Sequence, residues 1–181
     1  MAFSEVAGSV DHVAFAVRSM RDTLDVYSTI FDYQLIYGTD HDHRQIRTMQ
    51  LQLDARFKVE LMEPLGPDSP LADHIDRRGE GFHHMAVKVN DLIQVVGDLG
   101  EVGVETLGTT TDNPSWMELF TDPRTCAGTM IQLAETNRDW FSPCPGITVE
   151  DVLVGRLVWD GDTVGWRYPT RIAERWPPQL P

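Results

Sequence analysis

Apolar positions along this chain follow two rhythms, alternation and then helical spacing, and the pair of rhythms occurs twice. Val10-Asp11-His12-Val13-Ala14-Phe15-Ala16-Val17 reads as a strand. After it come Met20, Leu24, Tyr27, Ile30 and Phe31, whose i, i+3, i+4 spacing predicts a helix with one buried face. Phe82-His83-His84-Met85-Ala86-Val87-Lys88-Val89 repeats the strand, and Leu92, Val95, Val96 and Leu99 repeat the helix. Each copy also ends alike, on Val59-Glu60-Leu61-Met62-Glu63 and on Ile131-Gln132-Leu133-Ala134-Glu135. His84 follows His12 by 72 positions, and Gln132 follows Glu60 by the same 72. Two landmarks sharing one offset without a gap mark an internal repeat. The chain is expected to be α+β, with two copies of a β-α-β-β-β unit at about 10–64 and 82–135.

Between the copies, Ser69 is placed to cap a helix with Pro70 at its first position, and Gly79 is placed to end it. A linker helix is therefore expected at about 70–78. Residues 1–135 make one domain in this reading. The remainder, 136–181, differs in kind: it is rich in proline and holds Trp140, Trp159, Trp166 and Trp176, four of the five tryptophans. Arg156-Leu157-Val158-Trp159 and Thr163-Val164-Gly165-Trp166 flank Asp160-Gly161-Asp162, which predicts a hairpin. So much tryptophan points to an extension that packs on the domain, on a partner subunit or over the site.

Composition narrows the function. Of 181 residues, 28 are acidic and 15 basic, a formal charge of −13, which opposes nucleic-acid binding and docking on anionic lipid. No apolar run approaches the ~20 residues that span a bilayer, and the opening MAFSEVAGSVDH lacks the basic and apolar regions of a signal peptide. Cys126 and Cys144 make neither a disulfide framework nor a zinc-ligand spacing. A cytoplasmic protein acting on a small molecule, with no nucleic-acid or membrane partner, is expected, as a homodimer or a monomer.

The repeated landmarks carry the chemistry. His12 and His84 lie on the first strands of the two copies, Glu60 and Gln132 on the last. If a pseudo-two-fold relates the copies, the four meet. Two imidazoles, a carboxylate and an amide oxygen suit a borderline divalent ion: zinc, cobalt, nickel or manganese, with iron ranked below them. His41 and His43 sit in the polar run 38–44 and read as a solvated loop, and His74 as a surface residue of the linker helix. Strand alternation sends His83 to the face opposite His84.

Asp11-His12-Val13-Ala14-Phe15-Ala16-Val17, Glu60-Leu61-Met62-Glu63-Pro64-Leu65-Gly66, and the run from Asp68-Ser69-Pro70-Leu71-Ala72 through Arg78-Gly79-Glu80-Gly81-Phe82-His83-His84-Met85-Ala86 carry a resemblance. Over roughly residues 10–135 the chain resembles the vicinal oxygen chelate superfamily of glyoxalases and dioxygenases, and within it the methylmalonyl-CoA epimerases. The resemblance implies an incomplete barrel around one divalent ion bound by His12, Glu60, His84 and Gln132. It implies an epimerase that removes an α-proton and stabilises the enolate, returning a proton on the other face.

Glu60 is then a proton-transfer group as well as a ligand. Where those epimerases carry a glutamate base the nearest match here is His43, and an imidazole with an ordinary pKa of about 6.5 suits that work. Glu118 stands where such relatives usually have an apolar residue; it is either an outward-facing charge or a relocated base. Coenzyme A wants a basic rim, for which Arg44, Arg47, Arg56, Arg77, Arg78 and Arg124 are the candidates. The substrate expected is an acyl-CoA of the methylmalonyl type or a small α-oxygenated ketone such as a valiolone-type cyclitol. Two alternatives stand beside this: an Fe(II) extradiol-type dioxygenase, and a non-catalytic small-molecule binding or resistance protein.

Overall fold

A computed structural model describes residues 8–113, 115–161, 163–168 and Trp176. In chain order they form β1 (Ser9–Ala16), α1 (Met20–Ile30), β2 (Gln34–His41), β3 (Ile46–Gln52), β4 (Lys58–Pro64), α2 (Pro70–Arg78), β5 (Gly81–Lys88), α3 (Leu92–Glu101), β6 (Thr106–Thr110), β7 (Met117–Thr121), β8 (Ile131–Glu135), α4 (Val149–Leu153), β9 (Leu157–Asp160) and β10 (Thr163–Trp166). The order β-α-β-β-β therefore occurs twice, as the repeat predicts, in a mixed α+β arrangement with few helices. Among the described residues no helix is long and apolar enough to cross a membrane.

The chain divides into two compact units. One gathers residues 14–82 with the described residues from 139 onward and carries Glu60; the other gathers residues 8–13 with 83–138 and carries His84. Strand β1 is shared, giving residues 9–13 to the His84 unit and 14–16 to the Glu60 unit.

In the Glu60 unit, β2, β3 and β4 form an antiparallel meander. Helix α1 starts at Ser19, whose hydroxyl accepts from the Asp22 amide, and it buries Met20 and Leu24. The apolar stripe expected along this helix is buried only in its first turns. Ile30 and Phe31 are 64% and 39% exposed, and Phe31 instead packs edge to face on Tyr27 at 5.6 Å. Helix α2 begins at Ser69, which accepts from the Leu71 amide, with Pro70 in its first turn. Arg77 and Arg78 lie in its last turn, where cations complement the helix dipole, and Gly79 ends it at φ 82°. Its Leu71 and Ile75 pack on Ala14, Ala16, Ile46 and Met62.

The tryptophan-rich segment builds onto this same unit. Strand β9 pairs with β2 in parallel at Asp40 and Val158, and β10 returns antiparallel beside it. Gly161 takes φ 67° in the connecting turn; Asp162 lies outside the described residues. Trp140 packs against Tyr37 and Trp176, with ring centroids 5.6 Å from Tyr37 and 5.3 Å from Trp176, and stacks on Trp159 at 5.9 Å. Half-buried Arg47, one of the candidate rim cations, is committed here: it donates to Asp40 at 2.6 Å and to the Leu153 carbonyl at 2.7 Å. Arg167 reaches both Asp40 and Asp42 and holds the Asp42 carboxyl below its usual range.

In the His84 unit, β8 pairs with β5 in parallel and with β7 antiparallel, and β7 pairs with β6. Helix α3, capped by Asp91, buries Leu92. Leu92 clusters with Val89, Leu119 and Leu133, and Val95, Val96 and Leu99 pack partly buried against that group.

Gly38 shows how tightly α4 seats. A methyl group there would lie 2.6 Å from Val152 Cγ1 and 2.9 Å from the Thr48 carbonyl oxygen, below any ordinary contact. Gly38→Ala is expected to destabilise the protein by about 1–3 kcal/mol, the usual cost of overpacking, and adding Val152→Ala should return only part of it because the Thr48 clash is with backbone. Chemical denaturation of the single and double variants checks this.

Candidate metal centre

Register places one set of polar side chains on a common face of the His84 unit. Gln132 pairs with Ala86 across β5 and β8, so His84, two residues before Ala86, shares its face. Gln132 also pairs with Phe120 across β7 and β8, which brings Phe120 and Glu118 to that face. His84, Gln132 and Glu118 are all buried. His84 Nε2 lies 3.1 Å from Gln132 Oε1, and Gln132 Nε2 donates to Glu118 Oε2 at 2.7 Å. The same Oε2 accepts from Trp116 Nε1 at 2.8 Å. Glu118 is therefore no outward-facing charge.

His12 belongs to this unit as well, its ring 5.7 Å from that of His84. Its Nδ1 is 2.8 Å from Asp11 Oδ2, and Lys88 Nζ sits 3.1 Å from Asp11 Oδ1. A carboxylate only accepts, so Nδ1 carries the proton and Nε2 presents its lone pair, the tautomer a metal ligand requires. His83 departs from simple alternation. It is less buried than His84, as expected, but its Nδ1 curls back to 2.9 Å from His84 Nδ1, one ring nitrogen donating to the other.

The Glu60 unit holds a second chain of hydrogen bonds. Gln50 faces Glu60 across β3 and β4, and Gln52 faces Lys58. Lys58 Nζ donates to Gln50 Oε1 at 3.0 Å, and Gln50 Nε2 donates to Glu60 Oε1 at 3.3 Å. Lys58 is 0% exposed; it donates further to the Trp140 carbonyl at 2.8 Å and lies 4.3 Å above the Phe141 ring. An ammonium has donors only, so it turns the Gln50 oxygen toward itself and the NH₂ toward the carboxylate.

His41 is not in a solvated loop: it ends β2, half-buried, stacked on Trp159 at 5.5 Å and 3.3 Å from Thr48 Oγ1. His43 does lie exposed in the turn that follows. Asp11, Lys88, Gln50 and Lys58 carry no sequence signal comparable to the repeat; only the period-two spacing of Lys58 and Glu60 hinted at a shared face.

His12 and His84 in one unit and Glu60 in the other are all buried. Two imidazoles and a carboxylate, with an amide oxygen 3.1 Å from one imidazole, form a donor set that fits a borderline divalent ion.

A family model described as "Glyoxalase/Bleomycin resistance protein/Dioxygenase superfamily" matches residues 11–115. The chain belongs to that superfamily. Among relatives of this superfamily member, human mitochondrial methylmalonyl-CoA epimerase is 25% identical over 131 residues, covering 71% of this chain and 74% of its own. The ethylmalonyl-CoA/methylmalonyl-CoA epimerase of Cereibacter sphaeroides is 28% identical over 102 residues, 56% of this chain and 75% of its own. The crystal structure of methylmalonyl-CoA epimerase from Mycobacterium tuberculosis superposes with a TM-score of 0.64 at 27% identity, covering 75% of this chain and 92% of that one. These relatives are epimerases, and the glyoxalase-like fold is shared with them.

Removing the partner of His12 tests the donor set. Asp11→Ala is expected to lower divalent-ion affinity about 10- to 100-fold, the usual effect of losing a carboxylate behind a ligating imidazole. Asp11→Asn, whose amide oxygen still accepts, should lose less. Competition titration against a chromophoric chelator measures both.

Proposed function

We propose that the chain is a metal-dependent epimerase acting on an acyl-CoA of the methylmalonyl type. The observation that carries the reading is the buried pair His12 and His84, rings 5.7 Å apart and with Gln132 Oε1 3.1 Å from His84 Nε2, in a chain whose relatives are methylmalonyl-CoA epimerases. In this reading His12 Nε2, the Glu60 carboxylate, an imidazole nitrogen of His84 and Gln132 Oε1 would hold one divalent ion. When bound, such an ion supplies Lewis-acid stabilisation of negative charge developing on a carbonyl oxygen.

The chain's own groups carry the proton. Glu60, held by the Gln50 amide at Oε1, takes the α-proton from one face of the substrate. Glu118 accepts from Trp116 and Gln132 at Oε2, and in this reading it serves to hold those neighbours. The imidazole of His43, on the exposed turn after β2, returns a proton to the opposite face. For the coenzyme, Arg44, Arg56, Arg77 and Arg78 are exposed and supply the cationic surface that Arg47 does not.

Proton NMR in D₂O with methylmalonyl-CoA tests the reading. The α-proton signal is expected to disappear with metal-loaded protein and to persist with metal-free protein. His84→Ala should abolish metal retention and exchange together, while His43→Ala should retain the metal, still exchange the epimer whose α-proton faces Glu60, and slow exchange of the other epimer by about a hundredfold or more, the low end of what a general base contributes. Exchange by the metal-free protein, or none when loaded, overturns the assignment. A valiolone-type cyclitol ketone in the same assay distinguishes an acyl-CoA enzyme from one acting on a small α-oxygenated ketone.

A further inference from the structure

Gln132 differs from the other donors in having a wrong way round. A carboxylate offers two equivalent oxygens, and the His12 tautomer is set by Asp11. A primary amide offers an oxygen on one side and an NH₂ of nearly the same shape on the other, and only the oxygen ligates a cation. Turned about, Gln132 would lose a ligand and point a positive dipole at the ion. The side chain therefore needs a neighbour that distinguishes its two ends.

Glu118 is such a neighbour. It lies diagonally across β7 and β8 from Gln132 on the same face, its carboxylate accepting from Gln132 Nε2 at 2.7 Å. A carboxylate accepts and does not donate, so the NH₂ must face it, which leaves Oε1 on the side of His84 Nε2, 3.1 Å away. Trp116, whose indole only donates, meets the same Oε2 at 2.8 Å. Donor, acceptor, donor is a sequence of fixed identities that reads one way only. Resting on the metal-binding reading above, we propose that Glu118 is a positioning residue that holds Gln132 with its oxygen toward the metal position. This accounts for a buried acidic residue at a strand position that an apolar side chain would fill at lower cost.

The test uses the full chain, Co²⁺ as probe, and affinity with the visible spectrum of bound Co²⁺ as readouts. Glu118→Gln removes the discrimination, because a glutamine at 118 donates as well as accepts. It is expected to weaken Co²⁺ binding about 10- to 100-fold and to change the spectrum. In a Gln132→Glu background the ligand has no wrong orientation and faces a like charge at Glu118, so the same substitution should not weaken Co²⁺ binding. Glu118→Gln binding Co²⁺ as tightly as the unaltered chain overturns the proposal, as does an equal loss in both backgrounds. If Glu118→Gln gives no cooperative melt, Trp116→Phe makes the same comparison: weaker Co²⁺ binding in the unaltered background alone supports the proposal, and equal effects in both overturn it. Failure of the unaltered chain to bind Co²⁺ overturns the metal reading and the inference together; binding that ignores position 118 overturns only the inference.

Discussion

The hydrogen bond from the Gln132 amide to the Glu118 carboxylate is one of a set that holds His12, Glu60 and Gln132 through neighbours whose hydrogen-bonding sense is fixed or set in turn. His12 leans on Asp11, which Lys88 holds in turn; Glu60 is met by Gln50, which Lys58 orients. The reason is the cost of placing polar groups on strand faces away from water, which is tolerable only when each finds a partner. In the proposed metal-binding role these side chains carry a second demand, because their lone pairs would have to face the ion. Acceptor-only and donor-only residues behind them meet both demands at once, and much of the polar sequence on β4, β5, β7 and β8 follows from that.

The paired β-α-β-β-β order was legible because strands and amphipathic helices repeat a coarse pattern that survives divergence, and because His12, Glu60, His84 and Gln132 kept a common offset. Ser69-Pro70 and Gly79 marked α2 through local chemistry that requires no knowledge of the rest of the fold. What escaped reading depended on tertiary neighbours. Ile30 and Phe31 continue the helical stripe of α1 yet lie largely exposed, since periodicity says which residues share a face but not how far a covering surface extends. His41 looked like part of a polar loop until Trp159, more than a hundred residues later, stacked on it. Glu118, Gln50 and Lys58 gain their settings from register across strands, which one strand's sequence does not contain.

The segment after residue 138 is joined to the Glu60 unit by dissimilar contacts. Strand β9 extends the sheet beside β2, Arg47 grips the Leu153 carbonyl, and Trp140 supplies both an aromatic surface to Tyr37 and a backbone acceptor to Lys58. The last of these ties the segment to the hydrogen-bond chain that ends on Glu60.

Lysine is scarce in this protein: Lys58 and Lys88 are its only two. One lies on the edge of accessibility at 22% side-chain exposure, the other is sealed beneath Trp140 and Phe141. The chain thus carries a built-in footprint. An acylating reagent counted by mass should mark Lys88 and spare Lys58 for as long as the tryptophan-rich segment stays seated, so that the reactivity of a single amine reports how often that cover lifts.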